Sequence, residues 1–229
     1  MNHRSYRGRV DYIHDDIGER GREWFTVTVQ PDGMRTLRAH CEMDDSRILR
    51  DVIYTVDGNW RPIDSYVRIS VEERFMGAAW FRFGAEVVEC EGYTANEGRI
   101  SQRVPVDEWP RSFGPHPVVC DIWHLGAWDW SDPATEQGWH SIMSSPLPNG
   151  ASGPMIGRGG FRAQFVGDEE VTVPAGTYQT KHFVFPLRKS GKPPEHVWYH
   201  GDDLLFVKIR WDLLKTTYVL AEYEANSVA

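Results

Sequence analysis

Cysteine is scarce and unpatterned in this chain. Cys41, Cys90 and Cys120 are three among 229 residues, with no C-x-x-C. That spacing excludes a disulfide framework and a cysteine-type zinc site. A basic excess is missing as well: Lys plus Arg number 25 against 33 Asp plus Glu, for a formal net charge of −8. Nucleic acid and anionic membrane surfaces are therefore not the expected partners, since both need a basic patch. No stretch approaches the ~18 uninterrupted apolar residues of a spanning helix. Residues 1–7 lead into an alternating segment instead of an apolar signal core, so a soluble, cytoplasmic protein is expected. Also absent are G-x-S-x-G, a P-loop, the dinucleotide glycine fingerprint, H-E-x-x-H and a calcium loop. No cofactor or metal is expected. His196 and His200 do not change that, because residues four apart on a strand lie roughly 13 Å apart and cannot share one ion.

What the chain has in abundance is tryptophan, 10 residues within an aromatic content of 13%. Each carries a large apolar area and one N–H in need of a partner, so the excess implies a large core, an aromatic-lined cavity, or both. Most of the sequence alternates with period two. Trp24 to Val29 puts Phe25, Val27 and Val29 on one face and Thr26 and Thr28 on the other. Further strand signals run over 34–43, 53–56, 63–71, 75–83, 85–91 and 98–106. In the C-terminal third they run over 161–167, 171–173, 178–188, 196–200, 204–212 and 216–223. Turn chemistry such as Pro31-Asp32-Gly33, Asp57-Gly58-Asn59 and Pro174-Ala175-Gly176 separates them. Connections this short favour antiparallel neighbours, and so many strands must curl to hide their edges. The expected fold is all-β, an antiparallel barrel or deeply curved half-barrel of roughly ten strands. An exposed edge of such a sheet would allow two copies to pair, so a homodimer is compatible with it.

Residues 105–154 break the pattern. They hold eight of the 14 prolines and five of the 10 tryptophans. Pro117 to Leu125 reads as a short helix with Val118, Ile122 and Leu125 on one face and Asp121 and His124 as neighbours. The stretch 144–159 reads as loop. The whole of 1–229 is taken as one domain, with 105–160 as an irregular Trp/Pro-rich cap or crossover over one mouth.

The chemistry-bearing run is Cys120 to Trp130, followed by Trp139-His140. A carboxylate beside a histidine among tryptophans is the arrangement a general base needs, so His124 is the candidate base and Asp121 its orienting partner. The competing reading has Asp121 capping local backbone, His124 solvated, and the tryptophans plugging the barrel end. Charged residues also interrupt apolar strands: Arg68, Arg82, Lys208, Arg210, His182 and His196. Strand parity leaves open which of them point inward. Arg82, set among Ala78, Ala79, Trp80, Phe81 and Phe83, suits a substrate carboxylate or phenolate, with Lys208 as the alternative anion stabiliser. His196 completes the candidate catalytic set. Trp123, Trp128, Trp198, Phe183, Phe185 and His182 are the candidate ligand-lining residues.

The segment Val171-Thr172-Val173-Pro174-Ala175-Gly176-Thr177-Tyr178-Gln179-Thr180 is followed by Val197-Trp198-Tyr199, Asp202-Asp203, Val207-Lys208-Ile209 and a last strand through Tyr223. This C-terminal quarter resembles the tail of the DUF3108 proteins, a family of unknown function. The resemblance implies a β-barrel-like fold related to the LolA/LolB-like lipoprotein-carrier half-barrels. A strand–turn–strand motif of this kind specifies fold far more than activity. The functional expectation is a cofactor-independent lyase-type enzyme working by proton abstraction, ring opening, decarboxylation or retro-aldol cleavage. Its substrate would be an apolar or aromatic small molecule held in the barrel, as in aromatic compound catabolism. The alternative is a carrier that binds a hydrophobic ligand without changing it.

Overall fold

The structure is a computed structural model that describes residues 3–147, 149–186 and 193–226. The first half of the chain is an eight-strand meander: β1 (Arg4–His14), β2 (Gly18–Val29), β3 (Arg35–Met43), β4 (Ile48–Val56), β5 (Pro62–Val71), β6 (Arg74–Phe83), β7 (Val87–Thr94) and β8 (Gly98–Pro105). Short elements follow: β9 (Ser112–Gly114), the helix α1 (Val118–Trp123), a 3₁₀ turn (His124–Ala127) and β10 (Gln137–Met143). A second meander completes the chain: β11 (Gly157–Val173), β12 (Gly176–Phe185), β13 (Glu195–His200), β14 (Leu205–Trp211) and β15 (Thr216–Asn226).

Among the described residues, fifteen strands belong to one sheet in the order β8-β7-β6-β5-β4-β3-β2-β1-β15-β14-β13-β12-β11-β10-β9. Every pairing is antiparallel except β9 with β10. The first and last strands therefore lie mid-sheet, where β1 pairs with β15, and the two meanders run outward to opposite edges.

That topology forces curvature. Laid flat, fifteen strands would put β8 and β9 about 65 Å apart. Only residues 106–111 connect them, a linker that reaches about 25 Å at full extension. The sheet must curl until its edges approach. The β8 edge is tied to the start of β11: Arg158 donates to the Pro105 carbonyl at 2.9 Å, and the Ile156 N–H donates to Gln102 Oε1 at 2.8 Å. No backbone pairing joins β8 to β9 among the described residues, so the half-barrel is open. The expected all-β architecture stands, with more strands than sequence signals reveal. β9 and β10 lie within the Trp/Pro-rich segment, and 161–173 forms part of one long strand in which the Phe165–Gly167 bulge mimics a break.

Period-two alternation sorts the side chains by face. Phe25, Val27, Val29, Leu37, Ala39, Val52, Tyr54, Val67, Ala79, Phe81 and Phe83 point inward and are buried. Into that concavity residues 112–128 insert. Phe113 lies with its ring centroid 4.9–5.5 Å from those of Tyr54, Phe81 and Phe83. Trp123 packs against Tyr54 and Trp60. The segment is a plug within the half-barrel, not a lid across its mouth.

The plug is anchored by Glu23 of β2, a fully buried carboxylate. It accepts the Val118 and Val119 N–H groups at 2.9 and 3.2 Å and the Tyr12 hydroxyl at 2.7 Å. Pro117 supplies no side-chain cap of its own, so a residue 95 positions away satisfies donors that every helix start leaves unpaired.

Candidate functional site

The expected interior site is filled with protein. His124 is 1% exposed, and its ring stacks on Phe161 with centroids 4.0 Å apart. Burial pushes its pKa down to about 3, too weak a base for chemistry near neutral pH. Its Nδ1 makes no hydrogen bond among the described residues. Asp121 does not orient it: the electrostatic neighbours of Asp121 are Glu195, Glu23 and Arg50. The expected His124–Asp121 dyad is thus replaced by a core histidine and a separate acidic cluster. Trp123, Trp128, Phe183 and Phe185 are core residues, as the plugging alternative anticipated for the tryptophans. Arg82 points outward, its side chain 67% exposed and 4.0 Å from Glu89. It does not face a substrate in the barrel. Strand parity also separates His182 from Phe183, so these could never line one pocket.

The acidic cluster has a consequence for stability. Burial raises Asp121 well above the ordinary aspartate value, reinforced by Glu195 and Glu23 and opposed by Arg50. Burial likewise raises Glu195 to about 7. A carboxyl whose folded pKa is raised favours the fold while protonated. That contribution is complete below the ordinary glutamate value and is lost as pH climbs through about 7. At about 1.4 kcal/mol per unit, discounted because Glu195 keeps partial contact with water, the loss is on the order of 1–2 kcal/mol. Denaturant midpoints are expected to fall between pH 5 and pH 8, and Glu195→Gln to flatten the profile. An identical slope in the variant would refute the assignment.

Outside the sheet the side chains converge differently. The opposite parity of β2 to β6 carries two cross-strand rows: Trp24, His40, Asp51, Arg68, and beside it Thr26, Arg38, Ile53, Tyr66, Trp80. Of these, Trp24, His40, Asp51, Thr26, Arg38, Ile53 and Tyr66 line a cleft of about 770 Å³ together with Arg7 and the β15 residues Glu222 to Glu224. Trp24 stacks on His40 with centroids 6.0 Å apart. Asp51 Oδ1 is 2.8 Å from His40 Nδ1, and Glu42 Oε1 is 3.4 Å from Nε2. Arg7 is neutralised by Glu224. Arg38 is not: its one hydrogen bond is to Thr28 Oγ1 at 3.4 Å, and among the described residues no carboxylate lies within ion-pair distance. None of these cleft residues stood out in the sequence analysis. The available signal was the i, i+2 pairing of Trp24 with Thr26 and of Arg38 with His40 on strands whose other face is apolar.

Four expected site residues do meet, on the outer face of the second meander. Register aligns His182, Trp198 and Lys208 across β12, β13 and β14, with His196 two residues along. His182 stacks on Trp198 at 4.3 Å, and Lys208 Nζ lies 4.9 Å from the indole centroid. Glu169 of β11 joins them through a 2.9 Å hydrogen bond from Trp198 Nε1.

Among solved structures, the chain shares its fold with a β-barrel-like protein of the domain of unknown function DUF1849 from Brucella abortus. The TM-score is 0.59 over 97% of this chain and 98% of that one, at 8% identity. A DUF1089 family protein from Pseudomonas aeruginosa aligns at TM-score 0.41 and 10% identity over 84% and 90% of the two chains. A protein with a YmcC-like fold from Bacteroides fragilis aligns at 0.31 and 9% over 97% and 95%. The first of these establishes a β-barrel-like fold and nothing about activity. By sequence, the chain matches no protein-family model and no curated protein. Among the described residues no helix is long and apolar enough to cross a membrane, and no cluster of His, Cys, Asp and Glu has the arrangement of a metal site.

Proposed function

We propose that this protein binds a small apolar or aromatic molecule bearing one acidic group, in the outer-face cleft beside β1 to β5 and β15. The observation that carries the reading is Arg38, a guanidinium without a carboxylate partner among the described residues, set between Thr26 and Ile53 in a cleft walled by Trp24 and Tyr66. A volume of about 770 Å³ falls in the range of small-molecule sites. A planar fork of donors recognises carboxylate or phenolate, and aromatic walls supply the apolar contact. The DUF3108-like pattern of 171–223, with its relation to carrier half-barrels, supports a binding role.

Calorimetric titration with a panel of aromatic carboxylates and their neutral amides tests this. Carboxylates are expected to bind and amides not, with affinity falling at least about tenfold in Arg38→Met. Equal binding of acid and amide, or no binding by either, removes the reading.

Cofactor-independent, lyase-type turnover of that ligand is the second reading, and the His40–Asp51 pair favours it. Asp51 holds Nδ1, leaving Nε2 to take a proton once Glu42 swings aside, while Arg38 would stabilise the developing anion. Turnover abolished in His40→Gln with binding retained supports it. Binding without turnover by the unaltered protein leaves the carrier reading.

A further inference from the structure

The outer face of β11 to β14 holds a chain of polar contacts that the cleft does not use. Glu169 Oε2, fixed by the indole N–H of Trp198 at 2.9 Å, lies 3.4 Å from His182 Nδ1. His182 Nε2 lies 3.0 Å from His196 Nδ1. The His182 side chain is only 12% exposed. The indole is nearly parallel to both imidazoles, at 16° to His182 and 22° to His196, so the ring planes are clamped.

These contacts determine where the protons sit. An ionised carboxylate only accepts, so the His182 nitrogen facing it carries the hydrogen. In a neutral imidazole the other nitrogen is then bare, and His182 Nε2 is an acceptor. The hydrogen of the 3.0 Å contact must therefore come from His196 Nδ1. In its neutral form, a His196 that donates from Nδ1 is left with a bare Nε2, an atom that makes no hydrogen bond among the described residues. One carboxylate thus sets the tautomer of two rings.

We propose that Glu169, His182 and His196 form a proton relay ending at His196 Nε2, a base that accepts a proton from a small weak acid such as a phenol or an activated C–H compound. The acid's H–X bond breaks and its proton goes to His196 Nε2. The Nδ1 proton of His196 passes to His182 Nε2, and the imidazolium formed at His182 is held by the Glu169 carboxylate 3.4 Å away. The substrate leaves as its anion, His196 ends neutral, and the added proton rests on His182 as an imidazolium beside ionised Glu169. His196 is the catalytic residue in this scheme; His182 and Glu169 position and charge it. Burial, His196 and the Lys208 ammonium hold His182 below its ordinary pKa against the pull of Glu169, which keeps the resting His182 ring neutral at neutral pH. Arg210, opposite His196 in the register, is paired with Asp15 and Asp212 and adds little net charge. Lys208, on the indole, supplies a cation for the departing anion.

Three readouts test the relay. Nitrogen-15 NMR at pH 7.5 is expected to show His196 protonated at Nδ1 and bare at Nε2. This measurement needs no variant, and the opposite tautomer overturns the proposal. Diethyl pyrocarbonate labelling mapped by mass spectrometry is expected to slow about tenfold at His196 in Glu169→Gln, because the bare nitrogen loses the carboxylate that backs it. Exposed His140 serves as the unchanged reference. An equal His196 rate in both proteins means that Glu169 does not drive it. With 5-nitrobenzisoxazole as carbon-acid probe, base removal of the ring C–H breaks the N–O bond and releases a coloured phenolate. The rate is expected to exceed that of His196→Ala by about 100-fold, and equal rates refute base chemistry at this site.

Discussion

Replacing Glu23 with alanine is expected to cost on the order of 3 kcal/mol or more of folding stability, the largest effect of any exchange outside the apolar core. Two helix-start N–H groups and the Tyr12 hydroxyl lose their acceptor at a position no water reaches. An unsatisfied buried donor costs about 1–3 kcal/mol, and three are created at once, though local relaxation absorbs part of the sum. Burial raises the pKa of Glu23, and the three donors with the Cys41 thiol pull it back. Glu23→Gln is therefore the milder change, because one amide oxygen still accepts. Urea denaturation of both variants, with near-UV dichroism reporting the Trp123 environment, measures the difference. A shift below about 1 kcal/mol for Glu23→Ala would show that the start of α1 does not depend on this carboxylate.

Phe113→Ala is expected to cost about 3–5 kcal/mol. Phe113 is 1% exposed and sits where β4 and β6 would otherwise face an empty trough, in contact with Tyr54, Phe81 and Phe83. Removing the ring leaves a cavity bounded by strands whose hydrogen-bonded ladders resist collapse. Phe113→Leu keeps most of the volume and should cost about a third as much. If the two variants proved equally mild, the trough would have to be filled by some other part of the plug. Neither exchange touches Arg38 or His196, so ligand titration of the folded fraction separates fold from function.

The same side-chain parity explains where sequence reasoning succeeded and where it stopped. The stretch from Trp24 to Val29 alternates so regularly that both its conformation and its two faces are evident from the residues alone. The short helix at 118–123 is equally legible, because Pro117 and the spacing of Val118 and Ile122 announce it. His124 was legible only as a residue of interest. Whether an imidazole beside tryptophans is a base or a core side chain depends on what fills the space around it, and Phe161, 37 residues away, fills it. β10 was hidden because Gln137 to Met143 sits among prolines and glycines, and its pairing with β9 and β11 comes from contacts distant in the chain.

Composition and period-two alternation were enough to specify a large all-β sheet, its short antiparallel connections and the position of the irregular Trp/Pro-rich segment. These are local properties: backbone preference, side-chain alternation and turn chemistry act over a few residues. Tertiary structure alone decided which parity turned inward, how far the sheet curled, and that the irregular segment became a plug. It also brought His40 to Asp51 and Glu169 to His182 across neighbouring strands. A strand records its partners nowhere in its own residues, because register is set by the turns and by which faces can be buried together.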